Sequence, residues 1–130
     1  MDQALDDEIE ITKEFRFDAA HCLPALPEGH RYTRLHGHSF RAAVTLGGAP
    51  VPGYDWVADF EEIDAALAGI RAELDHHTLN EIPGLANPTL EAIARWIFER
   101  AAAVLPCVVR VSLYRDSIGE ACTVRRRKPA

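Results

Sequence analysis

The chain has 130 residues, 48% of them apolar and 26% charged, which fits one packed domain and argues against a disordered chain. Fourteen Lys and Arg against 20 Asp and Glu leave a formal charge of −6, the wrong balance for a nucleic-acid binder. No apolar run approaches the ~18–20 residues of a membrane span, and the acidic start lacks the basic-then-apolar layout of a signal peptide, so a cytoplasmic protein that avoids membranes is expected.

Residues 1–8 read as an acidic lead-in to a single domain over 9–130. From Ile9 the apolar residues alternate through Ile11, Phe15, Phe17 and Ala19, and His21 continues that face. Period two means a half-buried strand. Leu23 to Arg34, rich in Pro and Gly, reads as a loop. His36, His38, Phe40, Ala42, Val44 and Leu46 share one face of a second strand, closed by the turn residues of Gly47 to Gly53.

Asp59 precedes a helical stripe of Phe60, Ile63, Leu67, Ile70 and Leu74, with Glu62 placed for a capping box. Asp75 to Pro88 reads as a loop. Asn87–Pro88 looks like an N-cap followed by a proline at the first helical position. The stripe of the second helix is Leu90, Ile93, Ala94, Ile97, Phe98 and Leu105, and Pro106 ends it. Val109, Val111 and Leu113 then alternate as a third strand, and Ala121 to Arg126 is a weaker fourth. The order strand, strand, helix, helix, strand, strand predicts an α+β fold: a four-stranded, largely antiparallel sheet with both helices on one face. Such a sheet leaves edges open, so pairing between subunits is expected.

Six histidines in so short a chain are the unusual feature, and four lie between positions 21 and 38. In a strand, residues i and i+2 point the same way, about 6–7 Å apart. His36 and His38 can therefore bind one metal ion, with Gly37 permitting close backbone approach. If the first two strands pair as a hairpin, His21 joins them. Three imidazoles without a fourth protein ligand describe an open, catalytic-type zinc site. An isolated H-x-H is often only a pair of polar residues at a strand end; the third histidine tips the reading to metal. Cys22 is adjacent to His21, and alternation turns it to the other sheet face. With Cys107 and Cys122 it is too scattered for a disulfide framework or a thiolate zinc site.

Asp75-His76-His77 places a carboxylate beside an imidazole, as in proton relays, although such pairs are common in surface loops. Glu91, in the first turn of the second helix, suits the helix dipole. Arg125 to Lys128 is a basic run, read as a solvated tail or, less often, a patch for a polyanion such as triphosphate.

Phe17-x-Ala19-Ala20-His21, Leu35-His36-Gly37-His38-Ser39-Phe40, Asp59-Phe60, Leu74-Asp75-His76-His77-x-Leu79-Asn80 and Asn87-Pro88-Thr89-x-Glu91 occur in order. In these the chain resembles the 6-pyruvoyl-tetrahydropterin synthase family. Pro27-Glu28-Gly29-His30 and Asn80-Glu81-Ile82-Pro83-Gly84-Leu85 make it similar to the bacterial 6-carboxy-tetrahydropterin synthases of the queuosine pathway. The resemblance runs from about Phe15 to Leu105. It implies the tunnelling fold, with sheets of three subunits joined into a barrel and two trimers stacked as a hexamer, and active sites between subunits. It implies Zn2+ on His21, His36 and His38, a relay of Asp75 and His76, and substrate-binding positions at Thr89 and Glu91. The implied reaction is a carbon–oxygen lyase step on a dihydropterin such as dihydroneopterin triphosphate, with loss of triphosphate and, in the queuosine branch, cleavage of the side chain to a carboxylate.

Two positions depart from that pattern. The family's catalytic cysteine, four residues before the first histidine of H-G-H, is here Tyr32, which becomes the candidate acid–base group. The family's Glu–Thr pair, which grips the guanidine-like edge of the pterin, falls at Arg115-Asp116. An arginine there suits a carboxylate or a carbonyl instead. Three readings follow: a zinc lyase of the family with an altered proton path, a diverged paralogue with another substrate, and a non-enzymatic pterin- or metal-binding protein.

Overall fold

The computed structural model describes residues 7–127. Strands β1 (Ile9–His21) and β2 (His36–Gly48) pair antiparallel over thirteen residues, from Ile9 opposite Gly48 to His21 opposite His36. Helices α1 (Phe60–Leu74) and α2 (Leu90–Val104) follow, then β3 (Val108–Arg115) and β4 (Glu120–Arg125). The four strands form one antiparallel sheet in the order β1-β2-β3-β4. This is the α+β architecture expected from the sequence. An extra residue, Val109, interrupts the β2–β3 ladder beside Thr45 and Leu46.

Alternation decides the faces. Phe17, Ala19 and His21 of β1, Phe40, Ala42, Val44 and Leu46 of β2, and Val111 and Leu113 of β3 are buried toward the helices. Ile63, Leu67, Ile70 and Leu74 of α1, with Ile93, Ala94, Ile97 and Ala101 of α2, complete one continuous core. Phe17 stacks on its cross-strand partner Phe40 with ring centroids 4.8 Å apart, just below the histidines. Each such buried ring contributes about 1.5–3 kcal/mol from apolar burial alone. The other sheet face is polar. There Arg41 lies over the Tyr114 ring and bonds Glu14 and Asp116, while Thr12 meets Thr45 and Ser112 meets Thr123.

Several sequence expectations shift. Phe60, assigned to the apolar stripe of α1, is the first residue of the helix and is 46% exposed. Asp59 caps α1 by accepting from the Glu61 amide, one position before that of the expected capping box. The N-cap of α2 is Thr89, not Asn87: its Oγ1 accepts from the Ala92 amide. Pro88 therefore lies just outside the helix, and its carbonyl is free for another partner. The stretch 75–88 is more ordered than a plain loop. It contains a 3-10 turn at Leu79–Glu81, and His76–Thr78 runs beside the end of β1, with the His76 amide donating to Asp18 and the Ala20 amide to His77. Of the acidic lead-in, residues 1–6 lie outside the described residues, as does Lys128 of the basic run.

Candidate functional site

The β1–β2 register sets the site. His21 faces His36, and Ala19 faces His38, so the three imidazoles meet at one end of the sheet. One nitrogen from each lies within 4.8 Å of the others. Their ring centroids are 4.7 to 5.1 Å apart. Gly37 is not forced by crowding: a Cβ there would meet only the Ala19 carbonyl, at 3.4 Å.

Two of the imidazoles are oriented by backbone carbonyls. His21 Nδ1 lies 2.9 Å from the Pro88 oxygen, and His36 Nδ1 lies 2.7 Å from the Arg34 oxygen. Each of these contacts places the proton on Nδ1 and leaves Nε2 as an electron-pair donor, the arrangement that orients metal-ligating histidines. His21 Nε2 is buried and has no hydrogen-bond partner among the described residues. Burial is the main cause that lowers the His21 pKa, against the opposing Pro88 bond, and His36 and Arg115 lower it further. The His38 pKa falls to about 4, first through burial and then through Arg115 and the other two histidines. Three convergent imidazoles, one with an unsatisfied buried nitrogen, fit a metal ion. His21, His36 and His38 are the residues placed to hold it.

The end of β1 is clamped by Asn80. Its Oδ1 accepts from the Cys22 amide at 3.0 Å, and its Nδ2 donates to the Cys22 carbonyl at 2.8 Å. Asn80 thus pairs the residue after His21 as another strand would. Cys22 itself is not among the convergent ligands.

The triad opens into a cavity of about 250 Å³, which Tyr32, Arg31, Arg115 and Glu120 also line. The Tyr32 ring lies 6.1 Å from His36, and its hydroxyl accepts from Arg31 Nη2 at 3.1 Å. No cysteine lines this space among the described residues. Arg115 continues the buried face of β3 and pairs with Glu120 through Nη2, at 2.9 Å. Asp116 turns away and is held by Arg41. Glu120 and Ile118 had no signal in the sequence; only the β3–β4 register brings them to the cavity.

Asp75 and His76 are together but apart from this cavity. Asp75 Oδ2 lies 3.0 Å from His76 Nδ1 and 3.1 Å from Arg71. Its carboxyl is held below the usual range, first by the Asp18 amide and then by His76 and Arg71, against the cost of burial. His76 lines a wider cleft of about 670 Å³ with Asp18, Gly37, Ser39 and Thr78, and the two spaces share only His38. His76 also adopts φ of +60°, which is uncommon outside glycine. Thr89 is occupied as a helix cap, and Glu91 is exposed on the first turn of α2; neither lines the triad cavity. Arg125, Arg126 and Arg127 line a groove with Glu10 at the opposite end of the sheet.

No helix among the described residues is long and apolar enough to cross a membrane. The chain matches the family model described as 6-pyruvoyl tetrahydropterin synthase over residues 10–127. It is 45% identical over 95 residues to a 6-carboxy-5,6,7,8-tetrahydropterin synthase of Synechocystis sp., covering 69% of this chain and 72% of that protein. It is 40% identical over 95 residues to a dihydroneopterin monophosphate aldolase of Pyrococcus furiosus, covering 73% and 76%. Among solved structures, the 6-pyruvoyl tetrahydropterin synthase of Caenorhabditis elegans superposes with a TM-score of 0.82 over 93% of this chain and 97% of that one; at 20% identity this speaks for the fold. With the motifs in register, the fold shared and the histidines convergent, the chain belongs to the 6-pyruvoyl tetrahydropterin synthase family of lyase-type enzymes.

Proposed function

We propose that the protein is a zinc-dependent lyase of the 6-carboxy-tetrahydropterin synthase kind, acting on a dihydropterin with a hydroxylated side chain such as dihydroneopterin triphosphate. The observation that carries this is the convergence of His21, His36 and His38 in one cavity, with His21 Nε2 unsatisfied. When bound there, zinc would supply the positive charge that acidifies ligand hydroxyls. Tyr32, beside Arg31, stands where it can hold or move a proton at the phenol oxygen. Asp75 holds His76 at Nδ1, which leaves the opposite ring nitrogen to exchange one.

Because His76 faces a different cleft, it would act at the triad of a neighbouring subunit. The outer edge of β4 and the outer edge of β1 before Asp18 have no strand partner among the described residues, which supports assembly through the sheet, as a trimer or a hexamer of two trimers. An acidic chain with three free cysteines suits the cytoplasm, and the similarity to a 6-carboxy-tetrahydropterin synthase supports a step in queuosine biosynthesis.

A second reading has its own observation. Tyr32 and Arg115 line the cavity where the family pattern has Cys and Glu, which favours a paralogue with a changed substrate. Metal analysis and turnover of dihydroneopterin triphosphate, with identification of the product, test the proposal. One zinc per chain with turnover supports it. Zinc without turnover favours the paralogue, and neither leaves a binding protein.

A further inference from the structure

We infer that Arg115 and Glu120 together read a lactam-type edge of the substrate, Arg115 taking a carbonyl oxygen and Glu120 the adjacent ring N–H. The inference rests on the proposed function in treating the triad cavity as the substrate site.

Only two buried side-chain nitrogen or oxygen atoms among the described residues lack a hydrogen-bond partner, and both belong to residues lining this cavity. One is His21 Nε2, which the metal reading accounts for. The other is Arg115 Nε. A guanidinium only donates, so this atom is satisfied by an acceptor that a ligand brings. Leaving a buried donor unpaired is costly, and a site built around one selects for its partner.

The β3–β4 turn holds the pair in place. Gly119, at φ of +67°, ends a short 3-10 turn and sets Arg115 opposite Glu120 in the ladder. The ion pair of Arg115 Nη2 with Glu120 Oε1, 2.9 Å apart, anchors the guanidinium. Glu120 keeps spare acceptor capacity, because a carboxylate offers about four lone-pair sites. The cavity thus presents a donor and an acceptor side by side. A bare carboxylate would satisfy Arg115 but meet the charge of Glu120. A guanidine-like edge would satisfy Glu120 but offer Arg115 nothing. An edge carrying C=O beside N–H satisfies both. A 2-amino-4-oxopteridine has such an edge next to its amino edge, so a pterin would seat here by its carbonyl side.

Fluorescence titration of the zinc-loaded protein with three probes tests this. Pterin carries both edges, 2,4-dioxopteridine carries the lactam edge alone, and 2,4-diaminopteridine has an amino group in place of the carbonyl. The wild type should bind the first two alike and the diamino compound at least about 10-fold more weakly. Arg115→Met should erase that preference with zinc content unchanged. Glu120→Gln, a milder change, should weaken pterin and the dioxo compound while keeping the preference for a carbonyl. Equal or tighter binding of the diamino compound to the wild type overturns the inference, as does an Arg115→Met variant that still prefers the carbonyl. Turnover of dihydroneopterin triphosphate without carbonyl preference removes this inference and spares the proposed function. Carbonyl preference without turnover does the reverse, and no binding of any probe removes both.

Discussion

His21 Nδ1 lies 2.9 Å from the carbonyl oxygen of Pro88, and this bond ties the most buried of the three histidines to the residue before the Thr89 cap of α2. The tie works because the helix starts two residues later than Asn87–Pro88 implies. A proline inside the first turn would commit its carbonyl to the helix; here the Thr89 carbonyl takes the first helical bond, from Ile93, and the Pro88 carbonyl is left for the imidazole.

His21→Ala and His36→Ala should each remove most of the zinc, from about one ion per chain to below about a tenth, by elemental analysis. The two differ in stability. His21 is 1% exposed, and its loss also strands the Pro88 oxygen. Metal-free His21→Ala should therefore lose about 1–3 kcal/mol in urea denaturation, and His36→Ala, partly exposed, should lose less. Full zinc content in His36→Ala would remove the metal assignment.

Asn80 tests how the ligand frame is held. Asn80→Ala leaves both the amide and the carbonyl of Cys22 without their side-chain partner. The metal-free variant should lose about 1–3 kcal/mol. Zinc affinity should fall about 10-fold or more, as when an outer-shell partner is lost. Competition with a chromogenic chelator reads the affinity. Unchanged values on both counts would mean that β1 holds His21 without the clamp.

The triad was legible because strand parity is a strict period: once β1 and β2 read as a hairpin, His21, His36 and His38 had to share a face. The core stripes of both helices were legible for the same reason. What sequence pattern misses are bonds set by loop geometry. Asn80 stood in a recognisable motif, but nothing in its spacing said that it would pair with Cys22. Asn–Pro is itself a strong start signal and points to Asn87, although Thr89 is the cap and the Pro88–His21 bond beside it spans 67 residues. Glu120 enters the cavity only through the β3–β4 register, which a short, weakly alternating strand does not reveal.

Acid should destabilise the metal-free protein in a defined window. His21 and His38 have lowered pKa values, His38 to about 4, whereas the unfolded residues titrate near 6.5. Between about 4 and 6.5 the unfolded chain binds more protons than the folded one, so stability falls as pH drops through that range and is flat above it. The depressed Asp75 carboxyl adds a further loss only at lower pH, below about 3.9. Denaturation midpoints from pH 8 to 4 check this. A metal-free protein equally stable at pH 7 and 5 would contradict the lowered pKa values of His21 and His38.

If Tyr32 stands in for a thiol base, the wild type should turn over dihydroneopterin triphosphate slowly. General-base catalysis is worth ~10²–10⁴-fold, which sets the size of the deficit. Tyr32→Cys should recover part of it, because the side chain sits beside His36 at the cavity wall. Steady-state rates with the same zinc content decide the matter. A wild-type rate equal to that of cysteine-containing relatives would make Tyr32, or a neighbour, a competent base.

His76 combines a positive φ with the contact to Asp75, so its backbone and its imidazole can be tested separately. A left-handed residue with a Cβ carries roughly 1–2 kcal/mol of strain that glycine avoids. Glycine in turn gives up about 0.4–1 kcal/mol through the freedom of its unfolded chain. His76→Gly should therefore be as stable as, or up to about 1.6 kcal/mol more stable than, His76→Ala, although both lack the imidazole. The exposed Asp75 contact contributes little to either comparison, since exposed ion pairs are worth about 0–1 kcal/mol. Activity should behave differently: if His76 moves a proton, both variants should fall alike, by roughly 10²–10⁴-fold in kcat. Urea denaturation and steady-state kinetics on the same preparations separate the two effects. An alanine variant clearly more stable than the glycine one would show that the left-handed backbone carries no strain. Wild-type kcat in both would take His76 out of the proton path and leave Asp75 with a structural role, holding the Asp18 amide and Arg71 beside the end of β1.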